Sequence, residues 1–397
     1  RAAIDGGLSY VSFPEAIERM FLEERLGYVV AGTHGKTTTT TMLAYLLHRT
    51  GKDPGFLVGG VPIDFDESYR LGGPAAPFVI EGDEYDCAFF EKKPKFWRYR
   101  PHAAILTSLE HDHIDIYPDM DSYRAAFDGF VDRMPEDGVL VAWAGDPEVR
   151  RVAERAKCRV SFYALDGDDT GGVTPVWLAA PVAPQHGAQP FDLFVGGSSA
   201  GRLYSPLSGH HNLRNAVAAI ALAAESAGAK VHELGRHLQG FRGVRRRQEL
   251  LGVAGGVRVY EDFAHHPTAV RETLDGLRGR HPEGSLFAVF EPRSATASRN
   301  LHQAAYPDAF RAADVAILAP VGRPEIADGE RLDIQALARA IAVAPRTASA
   351  APSIDAIVEQ ITAEARPGDT VVLMSNGAFG GIYDRVLVSL SARAIEE

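Results

Sequence analysis

A short loop bracketed by glycines, between an apolar strand and a helix, constrains the fold of this chain more than any other stretch. The run Tyr28-Val29-Val30-Ala31 predicts a buried strand, and residues 37–47 predict a helix. The loop and the first residues of the helix are Gly32, Thr33, His34, Gly35, Lys36, Thr37 and Thr38. A strand, a tight turn and a helix in this order are typical of an α/β sheet.

The loop has the parts of a phosphate-binding site. Gly32 and Gly35 let backbone N–H groups point inward, Lys36 can reach phosphate oxygens, and Thr37 offers a hydroxyl to Mg²⁺. The loop is shorter than the general pattern G-x-x-x-x-G-K-[ST], which requires a glycine where this chain has Val30. The pattern predicts a nucleotide-phosphate site, and the alternative is a structural turn with a solvated lysine.

Composition excludes several classes of protein. A net charge of -11 argues against a nucleic-acid binder, and the basic cluster at 242–247 suits a small anionic ligand better. Only Cys87 and Cys158 could form a disulfide, and they lack metal-ligand spacing, so we expect a reducing cytoplasm. No apolar run reaches membrane-spanning length and no signal peptide opens the chain. Composition indicates no oligomeric state.

The alternation of strand and helix patterns predicts two α/β domains in 397 residues. Residues 1–24, without an initiator methionine and with one amphipathic helix at 14–24, predict a linker from a missing N-terminal domain. Residues 25–239 predict a central domain with a largely parallel sheet and a β-rich appendage at 158–204, and residues 240–397 a second α/β domain. Predicted strands lie at 28–31, 56–58, 78–80, 102–107, 139–142, 257–260, 286–290, 315–318 and 370–374.

Three of these strands end in polar or charged residues, and the carboxyl ends of parallel strands form one crevice. Glu81 leaves the strand 78–80 first, so it is the best candidate for a Mg²⁺ carboxylate, against a solvated acidic turn. The cluster around His113 could bind zinc, but no cysteine accompanies it. Its acidic neighbours favour a hard ion bridged by phosphate.

Two further segments follow the predicted domain boundary. The turn at 243–247 is either a solvated charge run or an arginine clamp for a γ-phosphate, brought over the nucleotide by domain closure. In the segment 260–267, Pro267 fits a helix start, so His265 and His266 are either structural or line the cleft.

Together these stretches resemble the Mur ligase family, the ATP-dependent amide-forming enzymes of cell-wall biosynthesis. The motifs cover nearly the whole chain: Gly32-Thr33-His34-Gly35-Lys36-Thr37-Thr38, Glu81-Gly82-Asp83-Glu84, Asp112-His113-Ile114-Asp115, Gly209-His210-His211-Asn212-Leu213-Arg214-Asn215 and Gly243-Val244-Arg245-Arg246-Arg247. The resemblance implies a central phosphate-loop ATPase domain followed by a C-terminal Rossmann-like α/β domain. It also implies that the missing N-terminal domain holds a uridine nucleotide.

The resemblance implies ATP and Mg²⁺ as cofactors and assigns residues to them. Catalytic residues would be Lys36, Glu81, His113 and Arg247. The metal ligands would be Thr37, Glu81 and His113. ATP would contact the loop residues together with Asn212, Asn215, Arg247 and Asp262. Substrate contacts would come from His265, His266, Arg293 and Asn376, although Arg293 could equally be a surface salt bridge.

Within the family, residues 81–90, 262–268, 290–294 and 374–381 are most similar to the branch that acts in peptidoglycan recycling. That branch implies phosphorylation of the lactoyl carboxylate of UDP-N-acetylmuramate to an acyl phosphate. The amine of the tripeptide L-alanyl-γ-D-glutamyl-meso-diaminopimelate then attacks it. The alternatives are the branch that adds single L-alanine and a phosphate-loop regulatory ATPase. Phe127 stands where many Mur ligases carry a carbamylated lysine, so we expect no carbamate.

Overall fold

The computed structural model describes residues 5–184, 188–323 and 325–396, so residues 1–4 of the predicted linker lie outside the described residues. The chain divides into two compact units, Arg1–Val244 and Arg245–Glu397. The division follows Val244, a few residues after the boundary predicted at 239/240. In the described residues, no helix is both long and apolar enough to cross a membrane.

The first unit is built on one sheet, to which ten strands contribute in the described part of the chain. In chain order the strands of this unit, with the hairpin β5–β6 that pairs separately, are β1 Gly27–Ala31, β2 Gly55–Leu57, β3 Tyr69–Arg70, β4 Phe78–Gly82, β5 Asp86–Ala88, β6 Glu91–Pro94, β7 Pro101–Leu106, β8 Val139–Trp143, β9 Arg159–Leu165, β10 Trp177–Pro181, β11 Gln189–Val195 and β12 Ser198–Ser205. Their order across the sheet is β12-β11-β10-β9-β8-β7-β1-β4-β2-β3. Strands β10 to β2 in that order run parallel. The predicted parallel sheet is therefore confirmed.

The β-rich stretch at 158–204 continues the central sheet. Strand β9 pairs in parallel with β8, β10 pairs with β9, and β11 and β12 complete the edge as antiparallel strands. The expected hairpins exist in β10–β12, but they extend an existing ladder instead of forming a sheet of their own. An exposed edge of β8 would leave backbone N–H and C=O groups unpaired, and β9 pairs with them.

Helices cover both faces of this sheet. They are α1 Phe13–Ile17, α2 Lys36–Arg49, α3 Met120–Val131, α4 Pro147–Ala153, α5 His210–Ala227 and α6 Val231–Leu238. Alternate residues of β1 face opposite cores: Val30 packs with α2 and α5, whereas Val29 packs with α3 and α4. The alanine-rich α5 is buried along much of its length, because small side chains let it approach the sheet and α2 closely.

The amphipathic helix predicted at 14–24 is shorter than expected. It begins at Phe13, where Ser12 Oγ accepts from Glu15 N at 3.3 Å and Pro14 occupies the first turn. It ends at Ile17 and passes into a π-helical turn, Glu18–Leu22.

The second unit has a sheet of its own, with strands in the order β13-β14-β18-β15-β16-β17. These are β13 Glu249–Ala254, β14 Val257–Asp262, β15 Leu286–Phe290, β16 Val315–Leu318, β17 Thr347–Ala350 and β18 Thr370–Met374. Only β13 is antiparallel to its neighbour among the described strands of this sheet. The helices are α7 Pro267–Arg280, α8 Tyr306–Ala309, α9 Ile334–Ile341, α10 Ile354–Glu364 and α11 Ile382–Glu396. Apolar clusters lie on both faces of the sheet, which confirms the predicted second α/β domain.

Candidate active site

Three neighbouring strands bring the predicted catalytic residues of the first unit to one edge. Strand β1 lies between β7 and β4, with Ala31 paired to Gly82 on one side and to Leu106 on the other. The glycine-bracketed loop leaves β1, Glu81 lies on β4, and the segment with His113 follows β7. All three strands are parallel, so their carboxyl ends meet at the same edge. The prediction that the loop, Glu81 and the segment with His113 lie at one edge of the sheet is therefore confirmed.

The loop after β1 is held against the segment that follows β7. Thr33 N donates to Ser108 O at 2.8 Å, and His34 N donates to Ser108 Oγ at 3.0 Å. Gly32 has a φ of +134°, and a Cβ there would collide with Thr107 Oγ1. Only glycine therefore fits at the point where the two segments meet.

Lys36 opens α2 and lies folded over the loop. Its Nζ donates to Gly32 O at 2.7 Å and to Glu84 Oε2 at 2.9 Å. Burial lowers the pKa of the Lys36 ammonium, but Glu84 and other nearby carboxylates outweigh burial and raise it. The lysine thus holds a positive charge at the N-terminus of a helix, which is a suitable place for phosphate oxygens.

Glu84 is a buried residue of this cluster to which sequence reasoning assigned no role. It lies just beyond β4, is 1% exposed, and joins Lys36 to His113, whose Nε2 is 3.3 Å from Glu84 Oε1. Burial alone would raise the pKa of the Glu84 carboxyl, but the charge of Lys36 and the hydrogen bond from His113 hold it at about 2. The acidic motif contains Glu84, but its spacing from Glu81 did not indicate which of the carboxylates faces Lys36.

Thr37 and Glu81 form a second pair beside the loop. Thr37 Oγ1 donates to Glu81 Oε1 at 2.7 Å, and Gly59 N donates to Glu81 Oε2 at 2.8 Å. Burial, and then Asp83, raise the pKa of the Glu81 carboxyl. A hydroxyl and a carboxylate side by side are oxygen ligands of the kind that Mg²⁺ takes, and a bound cation would offset the cost of burying that carboxylate. These residues therefore fit the predicted metal.

His113 has an unusual backbone conformation. Its φ is +52°, and Asp112 Oδ1 accepts from His113 N at 2.7 Å. Its carbonyl accepts from Ile116 N at 2.8 Å and Tyr117 N at 2.9 Å. A non-glycine residue with positive φ costs on the order of 1–3 kcal/mol and persists where its surroundings determine it. The imidazole is consequently aimed at Glu84 by a fixed turn.

Asn212 and Asn215 lie in the first turns of α5 and are both buried. Asn212 Nδ2 donates to Ser208 O at 2.7 Å, and Asn215 Nδ2 donates to Asn212 Oδ1 at 3.4 Å. Asn215 also faces Gly35 of the loop. The structure thus places the helix N-terminus beside the loop, and the adenine contact stays a prediction. Phe127, in contrast, is fully buried between the rings of Phe96 and Tyr123.

In the second unit, the three consecutive arginines have different surroundings. Arg245 forms an exposed pair with Glu249 at 3.4 Å. The Arg246 guanidinium lies 2.5 Å from Glu261 and also donates to the carbonyls of Ser375 and Gly377. Arg247 lies over the ring of Phe263, 4.7 Å from its centroid. The role of Arg247 in catalysis stays a prediction.

Asp262 and the two histidines of the same segment take part in the local structure. Asp262 accepts from Gln248 N and Ala264 N, both at 2.7 Å, and from Thr273 Oγ1 at 3.3 Å. His266 is the N-cap of α7, with its Nδ1 accepting from Thr268 N at 3.4 Å. His265 Nδ1 lies 3.0 Å from Phe263 O. The predicted helix start at Pro267 is confirmed, and the ligand contacts of Asp262, His265 and His266 stay predictions.

Arg293 and Asn376 lie near the carboxyl ends of neighbouring strands β15 and β18. The Arg293 side chain is 47% exposed and lies 3.5 Å from Glu291 Oε1. A Cβ on Gly377 would collide with the Arg293 side chain, so glycine leaves room for it. Asn376 Oδ1 is buried and accepts no hydrogen bond from the described residues. An unmet buried acceptor beside an exposed cation is suited to an ammonium and carboxylate ligand.

Two family descriptions match the sequence in chain order. Residues 30–223 match the Mur ligase middle domain, and residues 246–377 match the Mur ligase glutamate ligase domain. The two matched regions lie within the two compact units of the structure.

Individual relatives match nearly the whole chain. The UDP-N-acetylmuramate--L-alanyl-gamma-D-glutamyl-meso-2,6-diaminoheptandioate ligase of Escherichia coli (strain K12) is 35% identical, covering 99% of this chain and 82% of the relative. The UDP-N-acetylmuramate--L-alanine ligase of Roseiflexus sp. (strain RS-1) is 34% identical, covering 90% of this chain and 76% of the relative. The crystal structure of a murein peptide ligase from Psychrobacter arcticus 273-4 is 32% identical, covers 98% of this chain and 82% of that chain, and has a TM-score of 0.68.

Proposed function

The chain belongs to the Mur ligase family, and we propose that it joins UDP-N-acetylmuramate to L-alanyl-γ-D-glutamyl-meso-diaminopimelate in an ATP-dependent amide ligation. The reaction would serve peptidoglycan recycling. Its proposed setting is the cytoplasm, where the two free, buried cysteines would stay reduced.

The observation that carries the proposal is the cluster at the carboxyl edge of β1, β4 and β7. There Lys36 lies 2.9 Å from Glu84, His113 lies 3.3 Å from Glu84, and Thr37 lies 2.7 Å from Glu81. The Lys36 side chain is only 12% exposed and lies among carboxylates. A structural turn with a solvated lysine would leave that side chain in water, so this arrangement argues against that alternative. A buried ammonium at a helix N-terminus is suited to binding a nucleoside triphosphate.

Joining a carboxylate and an amine in water is uphill, so the carboxylate has to be activated first. We propose that ATP phosphorylates the lactoyl carboxylate of UDP-N-acetylmuramate, and that the amine of the tripeptide displaces phosphate from the acyl phosphate. Lys36 and the loop amides would hold the β- and γ-phosphates, and Asn212, Asn215 and Asp262 would contact the rest of ATP. Arg247 would stabilise charge on the transferring phosphoryl group.

Mg²⁺ would be held by Thr37, Glu81 and His113. Its contribution would be to neutralise charge on the phosphate oxygens. The chain's own part is to keep these ligands in place: Gly59 N and Thr37 fix both oxygens of Glu81, and Glu84 faces the imidazole of His113.

We propose the tripeptide, and not L-alanine, as the acceptor for two reasons. The relatives named for the tripeptide match 98–99% of this chain, whereas the L-alanine ligase of Roseiflexus sp. (strain RS-1) matches 90%. In addition, the second unit offers an exposed guanidinium at Arg293 and an unmet acceptor at Asn376, which suit a ligand with several carboxylates and an amine. His265 and His266 would contribute to the same substrate contacts.

Phosphate release by the intact protein tests the proposal. With ATP and UDP-N-acetylmuramate present, we expect turnover when the tripeptide is added and little when L-alanine is added. Turnover with L-alanine alone would favour an L-alanine ligase, and turnover that needs neither acceptor would favour a regulatory ATPase.

A lysine substitution connects the proposed reaction to the loop. We expect Lys36→Ala to abolish amide formation while the circular dichroism spectrum is retained. Lys52→Ala, at an exposed lysine beyond the end of α2, is the matched control and should leave turnover unchanged. Unchanged turnover in Lys36→Ala would remove the loop from the mechanism.

A further inference from the structure

Glu84 connects the two ends of the candidate active site. Its carboxylate is 1% exposed, and each oxygen serves a different residue. Oε2 lies 2.9 Å from Lys36 Nζ, and Oε1 lies 3.3 Å from His113 Nε2. Tyr123 OH is also within 3.4 Å of Oε1. A carboxylate buried this deeply is retained only where its partners satisfy it.

The backbone around Glu84 is fixed on both sides. Asp83 O accepts from Phe96 N at 3.1 Å, and Tyr85 O accepts from Lys95 N at 3.0 Å. Glu84 O itself accepts from the hydroxyl of Tyr117. Three successive carbonyls are thus occupied, so the carboxylate is presented from a rigid segment and not from a mobile loop.

The geometry decides which nitrogen of His113 carries a proton. An ionised carboxylate only accepts hydrogen bonds, and the ammonium of Lys36 at 2.9 Å keeps Glu84 ionised. The nitrogen that faces Glu84 is Nε2, so Nε2 must be the donor. In a neutral imidazole, Nδ1 then keeps its lone pair. Histidines that bind metals commonly donate their other N–H to a carboxylate in this way.

We propose that Glu84 is a positioning residue that holds His113 in its Nε2–H tautomer, with Nδ1 as the ligand atom, and at the same time holds the Lys36 ammonium at the loop. The proposal rests on the proposed function for the presence of a metal-nucleotide complex. Lys36 has three N–H donors, so it can keep Glu84 while it exchanges a loop carbonyl for a phosphate oxygen. One side chain would then fix the relative position of the lysine and the histidine.

The tautomer of His113 can be measured in the unmodified protein. Two-bond ¹H–¹⁵N correlation spectra of protein labelled at the histidine rings, recorded at alkaline pH, distinguish Nε2–H from Nδ1–H. The His113→Gln variant assigns the signal. We expect the Nε2–H pattern for His113, and an Nδ1–H pattern would overturn the proposal.

The variant Glu84→Gln keeps the volume but replaces one acceptor oxygen by an amide donor. We expect its affinity for Mn²⁺ in the presence of ADP, measured by electron paramagnetic resonance, to fall by about 10–100-fold. Glu91→Gln is the matched control, because Glu91 is also ion-paired and shielded from solvent in the first unit but contacts Arg98 and Ser12 instead. Its Mn²⁺ affinity should stay unchanged.

A folded Glu84→Gln protein that binds Mn²⁺ and ADP as tightly as the unmodified protein would contradict the proposal. If the variant does not fold, as judged by circular dichroism, the tautomer of the unmodified protein decides. Neither measurement needs the amide acceptor. Tight Mn²⁺ and ADP binding with His113 as Nε2–H, but no ligation, would therefore contradict the proposed substrates and leave the role of Glu84 standing.

Discussion

A Cβ atom on Gly35 would lie 2.5 Å from Oδ1 of Asn215, so the phosphate loop and the first turns of α5 touch at a point where no larger residue fits. Gly35 also has a φ of +79°. Asn215 is buried, and its amide is held in turn by Asn212. The loop is therefore supported by a helix that begins well over a hundred residues later in the chain.

Gly35→Ala should destabilise the first unit and weaken ADP binding. Two effects add. The positive φ costs roughly 1–2 kcal/mol for a residue with a Cβ, and that Cβ would overlap with Asn215. Gly51→Ala is the matched control, because Gly51 has a φ of +78° with nothing near its missing Cβ. Chemical denaturation should show a larger loss for Gly35→Ala, and Asn215→Ala should restore part of it. Equal losses at the two glycines would contradict the contact.

Arg246 should contribute to the stability of the second unit more than its neighbour in sequence. Arg246→Gln would remove the guanidinium that pairs with the buried Glu261 and donates to two loop carbonyls, so we expect a loss of about 1–3 kcal/mol in the free energy of unfolding. Arg245→Gln removes the exposed pair with Glu249 and should cost about 0.5 kcal/mol or less. Urea denaturation of both variants checks this, and a ranking in the opposite order would contradict it.

Asp262 should likewise act on stability. Asp262→Ala would remove the carboxylate that accepts from the N–H groups of Gln248 and Ala264, for a loss of about 2–4 kcal/mol. The control is Asp275→Ala, which removes an exposed pair with Arg311 and should cost about 1 kcal/mol or less. Thermal denaturation compares them, and a loss at Asp262 as small as that at Asp275 would argue that its carboxylate serves a ligand alone.

The stability of the second unit should depend on the protonation of His281. Burial, followed by the charges of Arg258 and Arg280, lowers the pKa of His281 from 6.5 to about 4. The unfolded chain then binds the proton more tightly than the folded chain. The stabilising contribution is complete above pH 6.5 and is lost as the pH falls toward 4.

Denaturation at a series of pH values checks this dependence. The free energy of unfolding should decline less steeply between pH 6.5 and 4 in His281→Gln than in the unmodified protein. Tyr260→Phe removes only the hydroxyl that lies 2.8 Å from His281 Nε2, so it should keep the steeper decline. Identical slopes in the unmodified protein and His281→Gln would rule out this histidine as the cause.

Local pattern was enough to find half of the strands in the described residues and the glycine-bracketed loop. Strands at 286–290, 315–318 and 370–374 begin and end where they were predicted, because each is a short, mainly apolar run that follows a polar residue. The loop at 32–38 was recognisable because its glycines, lysine and threonine are consecutive. The carboxyl ends of β1, β4 and β7 could also be predicted to converge, since parallel strands share an edge.

The α/β class, the glycine-bracketed loop and the family could be recognised from short stretches of sequence, because each motif consists of residues close together in the chain. The folded chain was needed to see that β9 to β12 continue the central sheet, that Arg246 is bound to Glu261, and that Glu84 joins Lys36 to His113. One cause accounts for all three. The partner of a backbone edge or of a charged side chain is set by packing between distant segments, and a run of carboxylates or arginines does not indicate which member faces inward.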